Sequence, residues 1–564
     1  MILKYTQNLL AVLFLLMSPP VMGQPFHAEK LERHIQLAIA KGYSASVRIW
    51  GFDTVRNTRT SAQFTGVVVS SDGHILTAAH VNVPGNTYKV MFPDGRSGIA
   101  AGLGEIELED TPAMPDVAMM KIAGNGVWPF AEMGWSSAIV KNEPCISIAY
   151  PESLDQALPM IRFGHIAEVK NKYGFIRSTC LMEPGDSGGP LFDYLGRVIG
   201  LHSAIDVAEN DNFEIPVDLY RKYWKMLNMA KTYKSFPLIA DSTGVDPLAG
   251  KIIAIPRVNN SWANSKLVDK LTASCLTVRS RWKEKAQQVR GTLIDMEGIM
   301  PNKGFVQGSI VISKSSLVGE NPQVIYQGKP VDATVIARDK ENDLVLLTTG
   351  IVMRGAVKLK QMFTDTVGFD QLGRFLYSPL GGDSCRLSIL GSKGFILPKL
   401  TSIGYLGAQI AYFGPLLFTS VQPHTPASAA KLEKGDELLS INGVTIARRA
   451  DYIMESKKYW PNDKVVIQVK RKDSTYSKEV VLEIKPQLFG NHPAELFAGG
   501  KSELRDGFKQ VFAHDAKIRP AENGGPVFDL HGNFYGINIA RYSRVSTVVV
   551  PASVLLNFIR ATYF

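Results

Sequence analysis

Short runs of alternating apolar and polar residues, separated by turn-forming residues, recur along the chain and predict β-strands. The run Phe64–Ser70, for example, stops at the turn-forming stretch Ser71–Gly73. A second apolar run leads into His80, and a third follows directly after Asp116. The pattern predicts a protein dominated by β-structure.

The first 23 residues follow a different pattern. They carry one charged residue, Lys4, then an apolar stretch from Leu9 to Met17, and they end in Gly23. This order predicts a signal peptide at residues 1–23 and export to the periplasm or the extracellular space. The stretch is too short for a spanning helix, and no later run reaches about 18 apolar residues, so no membrane span is predicted after signal cleavage. An uncleaved anchor is the alternative.

Composition narrows the function classes. The 564 residues suggest three or four domains, and 45% hydrophobic residues suffice for their cores. Loss of Lys4 with the signal peptide lowers the formal charge from +10 to +9. The positive charge forms no dense block with interleaved aromatic residues, so we predict no nucleic-acid partner.

The cysteine spacing matches no zinc motif, and we predict neither a metal nor a cofactor. Export would permit disulfides, and buried free thiols are the alternative. The four cysteines are Cys145, Cys180, Cys275 and Cys385.

Residues Gly185–Pro190 spell GDSGGP. The glycines allow the backbone to turn sharply around Ser187, so that the N–H groups of Gly185 and Ser187 can converge on a developing oxyanion. A serine hydroxyl also needs a base to become nucleophilic. The motif therefore predicts a nucleophile with its oxyanion hole, and a purely structural turn is the alternative.

Two upstream residues could complete this chemistry. His80 ends the apolar run Gly73–Val81 and has a side chain suited to general-base catalysis. Asp116 opens the alternating run that continues to Ile122, where a carboxylate could hold the imidazole tautomer. The order His80, Asp116, Ser187 predicts a Ser-His-Asp triad.

The segments TAAHV, DVAMMKI, GDSGGP and FEIPVDL resemble those of trypsin-fold serine peptidases, and especially their bacterial HtrA/Deg branch. The resemblance covers about Ser44 to Tyr223. It implies two packed six-stranded β-barrels with His80 and Asp116 on the first and Ser187 on the second. The substrates it implies are unfolded polypeptides.

The same resemblance places Leu181, six residues before Ser187, at the floor of the primary specificity pocket. We expect an apolar pocket, lined in part by Leu181, Leu201 and Ser203, that accepts medium aliphatic side chains. Alternatively, Leu181 packs in the barrel core.

The chain repeats this organisation. Residues 527–536 mirror residues 191–200 at an offset of 336, and AENGGP at 521–526 replaces GDSGGP. Asn523 stands at the nucleophile position, and residues 312–317 contain no imidazole. We therefore predict a pseudoprotease, in which the retained Asp343 is structural.

An insertion in the second copy carries the series PASAA-x-L-x-x-GD-x-L-x-x-ING at 426–443, which resembles a PDZ domain of the HtrA type. The resemblance implies a groove for C-terminal or extended peptides. Backbone N–H groups of its loop would receive a carboxylate, and a domain that has lost its ligand is the alternative. The loop consists of Tyr405, Leu406, Gly407 and Ala408.

Together these interpretations predict an all-β dominated chain: two trypsin-like double β-barrel domains, the second degenerate, and a small α+β PDZ domain. The predicted division is 1–23 signal peptide, 24–234 active protease, 235–262 linker, 263–397 and 489–564 pseudoprotease, and 398–488 PDZ domain. The leading function is an exported serine endopeptidase acting on unfolded or damaged proteins. The alternative is a peptide-binding quality-control or scaffold protein with a latent protease domain, and a homo-oligomer is left open.

Overall fold

A computed structural model describes residues 28–108, 116–154, 157–251, 265–282, 285–296, 310–358, 367–382, 384–486 and 490–563. The predicted signal peptide and the linker residues 252–262 lie outside these ranges. No helix within them is long and apolar enough to cross a membrane. The α-helices are α1 (Ala28–Gly42), α2 (Val217–Lys222), α3 (Trp224–Leu227), α4 (Ser265–Thr272), α5 (Pro426–Ala429), α6 (Arg449–Ser456) and α7 (Ala552–Tyr563).

Two antiparallel barrels form the first half. The first closes because β5 and β6 pair, in the order β5-β4-β1-β2-β3-β6, and the second is closed as β10-β11-β12-β9-β8-β7. Alternating side chains such as Val47, Ile49 and Val90 fill the first barrel. The strands are β1 (Ser46–Asp53), β2 (Thr58–Val68), β3 (His74–Ala78), β4 (Thr87–Met91), β5 (Ser97–Ile106), β6 (Val117–Ile122), β7 (Pro144–Ala149), β8 (Met160–Glu168), β9 (Ile176–Ser178), β10 (Pro190–Asp193), β11 (Val198–Ile205), β12 (Asn212–Pro216) and β13 (Thr232–Tyr233).

The second half repeats this arrangement. Its first barrel closes through pairing of β14 with β15, and its second part is a seven-stranded sheet in the order β22-β21-β31-β32-β33-β30-β23. These strands are β14 (Cys275–Trp282), β15 (Lys285–Asp295), β16 (Ile310–Lys314), β17 (Glu320–Tyr326), β18 (Lys329–Asp339), β19 (Leu344–Thr349), β20 (Val357–Lys358), β21 (Phe375–Gly381), β22 (Ser384–Ile389) and β23 (Phe395–Leu397), and, after the insertion, β30 (Phe508–His514), β31 (Pro526–Asp529), β32 (Phe534–Arg541) and β33 (Thr547–Pro551).

A separate small unit lies between β23 and β30. It contains a two-stranded sheet and a four-stranded sheet in the order β27-β26-β28-β29, with α5 and α6 beside them. Its strands are β24 (Ala408–Ile410), β25 (Phe418–Val421), β26 (Glu437–Ile441), β27 (Val444–Thr445), β28 (Lys464–Arg471) and β29 (Ser474–Val481). The predicted fold class, two double-barrel domains with an α+β unit, is confirmed.

The two halves pack tightly against each other through β8 and β22. The carboxylate of Asp515 accepts hydrogen bonds from the backbone N–H of Phe163 on β8 (2.8 Å) and of Ile389 on β22 (2.9 Å). The N–H of Ile161 donates to the carbonyl of Gly391 at 2.8 Å. Strand β8 thus lies beside β22, and the two are linked through the Asp515 side chain and one backbone hydrogen bond.

Candidate active site

The end of strand β3 positions His80. A single short helical turn, Ala79–Val81, follows β3, and the N–H of Ala79 donates to the carbonyl of Asp116 at 3.1 Å. His80 Nδ1 lies 2.7 Å from Asp116 Oδ2, and its backbone N–H donates to Oδ1 at 2.9 Å. Asp116 therefore holds both the main chain and the ring of His80, which directs Nε2 to act as the base.

A third side chain fixes the acid. Ser203 Oγ donates to Asp116 Oδ2 at 2.7 Å. Burial of the imidazole opposes its protonation, but the hydrogen bond and the charge of Asp116 prevail and raise the pKa of His80 above its usual value. The ring is 43% exposed and lines a cavity of about 650 Å³, which reaches the β1–β2 hairpin. A substrate can therefore reach the imidazole.

The nucleophile loop needs its glycines. Gly185 and Gly188 have φ angles of +97° and +76°, a region that L-residues rarely adopt. A Cβ on Gly188 would lie 2.0 Å from Thr77 Oγ1, and one on Gly185 would lie 2.5 Å from Glu152 N. The loop thus packs directly onto β3, the strand that ends two residues before His80.

Ser187 is half-buried, and its carbonyl accepts from the N–H of Thr65 at 3.0 Å. In the described part of the chain, the N–H groups of Gly185 and Ser187 have no acceptor within the protein, as an oxyanion hole requires. The described contacts also include no hydrogen bond between Ser187 Oγ and His80. The structure thus links His80 to Asp116 and Asp116 to Ser203, and leaves the hydrogen bond between nucleophile and base unmade.

Sequence reasoning missed Arg162, which lies on β8. Its guanidinium donates to both carboxylate oxygens of Asp186, the residue before Ser187, with Nη2–Oδ1 at 2.7 Å, and Nη1 also donates to the carbonyl of Leu181 at 2.8 Å. Both side chains are buried, and burial in low dielectric strengthens such a bidentate pair. The only sequence signal was a charged residue within the apolar run Met160–Phe163.

The three residues predicted to line the primary pocket lie in different surroundings. Leu181 is 6% exposed and belongs to a core cluster that continues into the second half. Leu201 is fully buried in another core cluster, which also includes second-half residues such as Phe375, whereas Ser203 contacts Asp116. Their role in specificity stays a prediction.

The corresponding site of the second half keeps the backbone frame and changes the chemistry. The N–H of Ser315 donates to the carbonyl of Asp343 at 2.7 Å, as Ala79 does to Asp116, so Ser316 stands at the position of His80. Ser316 Oγ donates to Asp343 Oδ2 at 2.7 Å, and buried Lys314 Nζ donates to the same atom at 2.6 Å. The retained Asp343 thus forms an ion pair with a lysine.

Asn523 occupies the nucleophile position in this frame. The N–H of Arg290 donates to its carbonyl at 3.0 Å, as Thr65 does to Ser187. Its amide is fully buried and donates to Ser502 Oγ at 3.0 Å. A side chain held in this way faces neither solvent nor substrate.

The predicted carboxylate-binding loop of the small unit leads into β24. The N–H of Tyr405 donates to the carbonyl of Glu483 at 2.8 Å, Leu406 is buried, and Ala408 begins β24. Gly407 has φ +82°, and a Cβ there would lie 2.2 Å from Thr425 Cβ. Within the described residues the N–H groups of Leu406 and Gly407 have no acceptor in the protein. The loop therefore presents two backbone donors at the end of a short strand.

Comparisons with known proteins match the two segments that contain these sites. A family model described as a trypsin-like peptidase domain matches residues 64–201, and a model described as a PDZ domain matches residues 404–482. Over these two segments the chain resembles the HtrA-like serine proteases. The matches cover the candidate triad and the candidate peptide-binding loop.

The relatives that the chain matches carry protease names. It is 33% identical over 163 residues to the putative serine protease HhoB of Synechocystis sp.. This match covers 27% of the chain and 37% of the relative. It is 24% identical over 402 residues to the probable periplasmic serine endoprotease DegP-like of Hahella chejuensis, covering 69% and 73%. A solved serine endoprotease from Yersinia pestis is 13% identical, with a TM-score of 0.30, covering 80% of this chain and 97% of that one. The chain spans about two fifths of the length of the first curated relatives it matches, 37% and 42%.

All four cysteines of the chain are free and buried. Cys145 Sγ and Cys180 Sγ lie 3.9 Å apart, and burial raises the pKa of Cys145 well above its usual value. Burial likewise raises the pKa of Cys275 and of Cys385 to about 12. These thiols are packing residues, not nucleophiles.

Proposed function

We propose that this protein is an exported serine endopeptidase that hydrolyses peptide bonds of unfolded or damaged polypeptides. The observation that carries the proposal is the hydrogen-bonded set His80, Asp116 and Ser203, next to a nucleophile loop with two N–H groups free to bind an oxyanion. The periplasmic names of relatives and the predicted signal peptide at 1–23 support export.

The hydrogen bonds around His80 support a mechanism in which it acts as the base. Asp116 accepts a hydrogen bond from the Nδ1–H group of His80, which leaves Nε2 unprotonated. Nε2 therefore takes the proton of Ser187 as Oγ attacks the substrate carbonyl. The N–H groups of Gly185 and Ser187 stabilise the oxyanion. His80 then protonates the leaving amine, and a water molecule, activated by the same imidazole, hydrolyses the acyl-enzyme.

The remaining parts would serve this chemistry. We assign the active domain to residues 24–234, the pseudoprotease to 263–397 with 489–564, and the PDZ domain to 398–488. Ser316 replaces the imidazole of the base, and Asn523 replaces the hydroxyl of the nucleophile. These two losses support the pseudoprotease assignment, because base and nucleophile act as a unit. C-terminal or extended peptides would add a strand to β24.

A second candidate is a peptide-binding scaffold with a latent protease domain. The observation that favours it is the unmade hydrogen bond between Ser187 and His80. In enzymes of this kind, such bonds often tighten only when substrate is present. The two candidates therefore differ in what substrate or a PDZ ligand does to the site.

The deciding experiment compares purified residues 24–564 with the Ser187→Ala variant. Each is incubated with reduced, unfolded casein and with a fluorophosphonate probe. We expect labelling and cleavage that vanish in the variant. Labelling that appears only after PDZ-binding peptides are added would favour the latent protein, and cleavage that persists in the variant would refute the proposal.

A further inference from the structure

The turn between β32 and β33, Arg541–Ser546, is buried throughout although it contains two arginines. Arg541 is 1% exposed and Arg544 is 0% exposed. Turn tips normally lie at the surface, because buried backbone and charges need partners. This turn belongs to the second half. Arg541 donates to the carbonyl of Ala516 within that half at 2.7 Å, whereas Arg544 and Tyr542 also contact loops of the first half.

Arg544 contacts the β11–β12 loop. Its Nη2 donates to the carbonyl of Glu209 at 2.6 Å and approaches Asn212 Oδ1 at 3.4 Å. On the other side of the turn, the hydroxyl of Tyr542 donates to the carbonyl of Ser153 at 2.9 Å. The turn thus connects two loops of the first half that lie far apart in the sequence.

Both loops are hydrogen-bonded to the residues just before the nucleophile. Asn212 Oδ1 accepts from the N–H of Met182 at 3.1 Å, and Ser153 Oγ donates to the carboxylate of Glu183. The N–H of Glu183 in turn donates to Asp186 Oδ2 at 2.9 Å. On each side, one intermediate residue and two hydrogen bonds connect the turn to residues 182–186.

We infer that the β32–β33 turn is a fixed part of the catalytic apparatus, with Arg544 as its positioning residue. The second half, which lacks nucleophile and base, would then be required for catalysis by the first half. The inference rests on the proposed function. Its physical reason is that catalysis tolerates little displacement, since a shift of about 1 Å can cost about 100-fold in rate.

The test uses the full chain with Arg544→Ala and the conservative Arg544→Lys. The matched control is Arg448→Ala, which removes an exposed arginine that pairs only locally with Asp451. We expect Arg544→Ala to lower kcat and the rate of fluorophosphonate labelling at least about ten-fold. Arg544→Lys should recover part of this loss, and the control should match the wild type. Wild-type labelling by a folded Arg544→Ala variant would overturn the inference.

Hydrogen exchange gives a readout that is independent of activity. In the Ser187→Ala background, Arg544→Ala should speed amide exchange in residues 180–186 and 206–212 and leave the first barrel unchanged. Unchanged exchange in both loops would overturn the inference. If the wild type neither labels nor cleaves, the proposed function fails, and exchange still decides whether the turn holds these loops. A variant that does not fold is replaced by Tyr542→Phe, which removes only one hydroxyl and should slow labelling in the same direction.

Discussion

Arg162 and Asp186 form a bidentate ion pair in which the side chains are 1% and 0% exposed, directly before the candidate nucleophile. A buried charge that loses its partner is costly, by about 3–5 kcal/mol. The pair therefore fixes the conformation of the nucleophile loop, and it does so with a residue on the strand that meets the second half.

We expect Arg162→Met to lower the melting temperature and to slow fluorophosphonate labelling at least about ten-fold, because Asp186 is left buried without a partner. The double variant Arg162→Met/Asp186→Asn removes the unpaired charge, so its melting temperature should recover while labelling stays slow. Arg96→Met, which breaks an exposed pair with Asp94, is the control. Normal labelling by the double variant would show that the pair is structural only.

The parts of the site that sequence predicts are those whose chemistry lies within one short segment. His80 ends an apolar strand and Asp116 begins one, so each can be recognised alone. The Ser203 bond to Asp116 spans 87 positions and the Arg544 bond to Glu209 spans 335, and no local pattern encodes either. Ser316 is aligned with His80 only through the backbone hydrogen bond from Ser315 to Asp343, because no imidazole marks this position in the sequence.

The pH dependence of catalysis should report His80. Because the hydrogen bond and charge of Asp116 raise the pKa of His80, kcat/KM should fall as pH drops through a midpoint above the ordinary value of about 6.5. Ser203→Ala leaves Asp116 Oδ2 to the imidazole alone, so the midpoint should move to higher pH and kcat should fall several-fold. The measurement is kcat/KM from pH 5 to 9, with exposed Ser474→Ala as the control. An unmoved midpoint would mean that Ser203 does not act through the acid.

Asp515 should make the contact between the halves sensitive to pH. Burial raises the pKa of its carboxyl to about 6, above the ordinary value of about 3.9. The group's contribution to stability is therefore complete below pH 4 and is lost as pH rises through 6. One pKa unit corresponds to about 1.4 kcal/mol, so the loss is on the order of 3 kcal/mol.

The matched variant for this effect is Asp515→Asn, which resembles the protonated acid at every pH. The stability of the wild type relative to the variant should fall between pH 4 and 7, as measured by melting temperature. Burial lowers the pKa of neighbouring His514 to about 4, but His514 is common to both proteins and cancels in the difference. A difference that does not change with pH would contradict the raised pKa.

Arg449 should weaken peptide binding by the PDZ domain. The N–H of Ala411 donates to the carbonyl of Leu417, which lies on the β25 side of β24. The carbonyl of Ile410 belongs to the same peptide unit and points the opposite way, so it faces the open edge of β24. Arg449 Nη1 donates to that carbonyl at 3.0 Å from helix α6, and its guanidinium lies 4.6 Å from the ring of Tyr412. A peptide strand added to this edge needs the same acceptor.

Arg449→Ala should therefore raise affinity for C-terminal peptides by about five-fold, which corresponds to about 1 kcal/mol for one competing hydrogen bond. Fluorescence anisotropy on the full chain in the Ser187→Ala background measures it, and the neighbouring Arg448→Ala variant is the control for lost charge. Equal affinity gains in both variants would point to general electrostatics. A loss of affinity in Arg449→Ala would mean that the arginine itself binds the peptide. In that case the lost arginine contact would outweigh the gain from the freed carbonyl of Ile410.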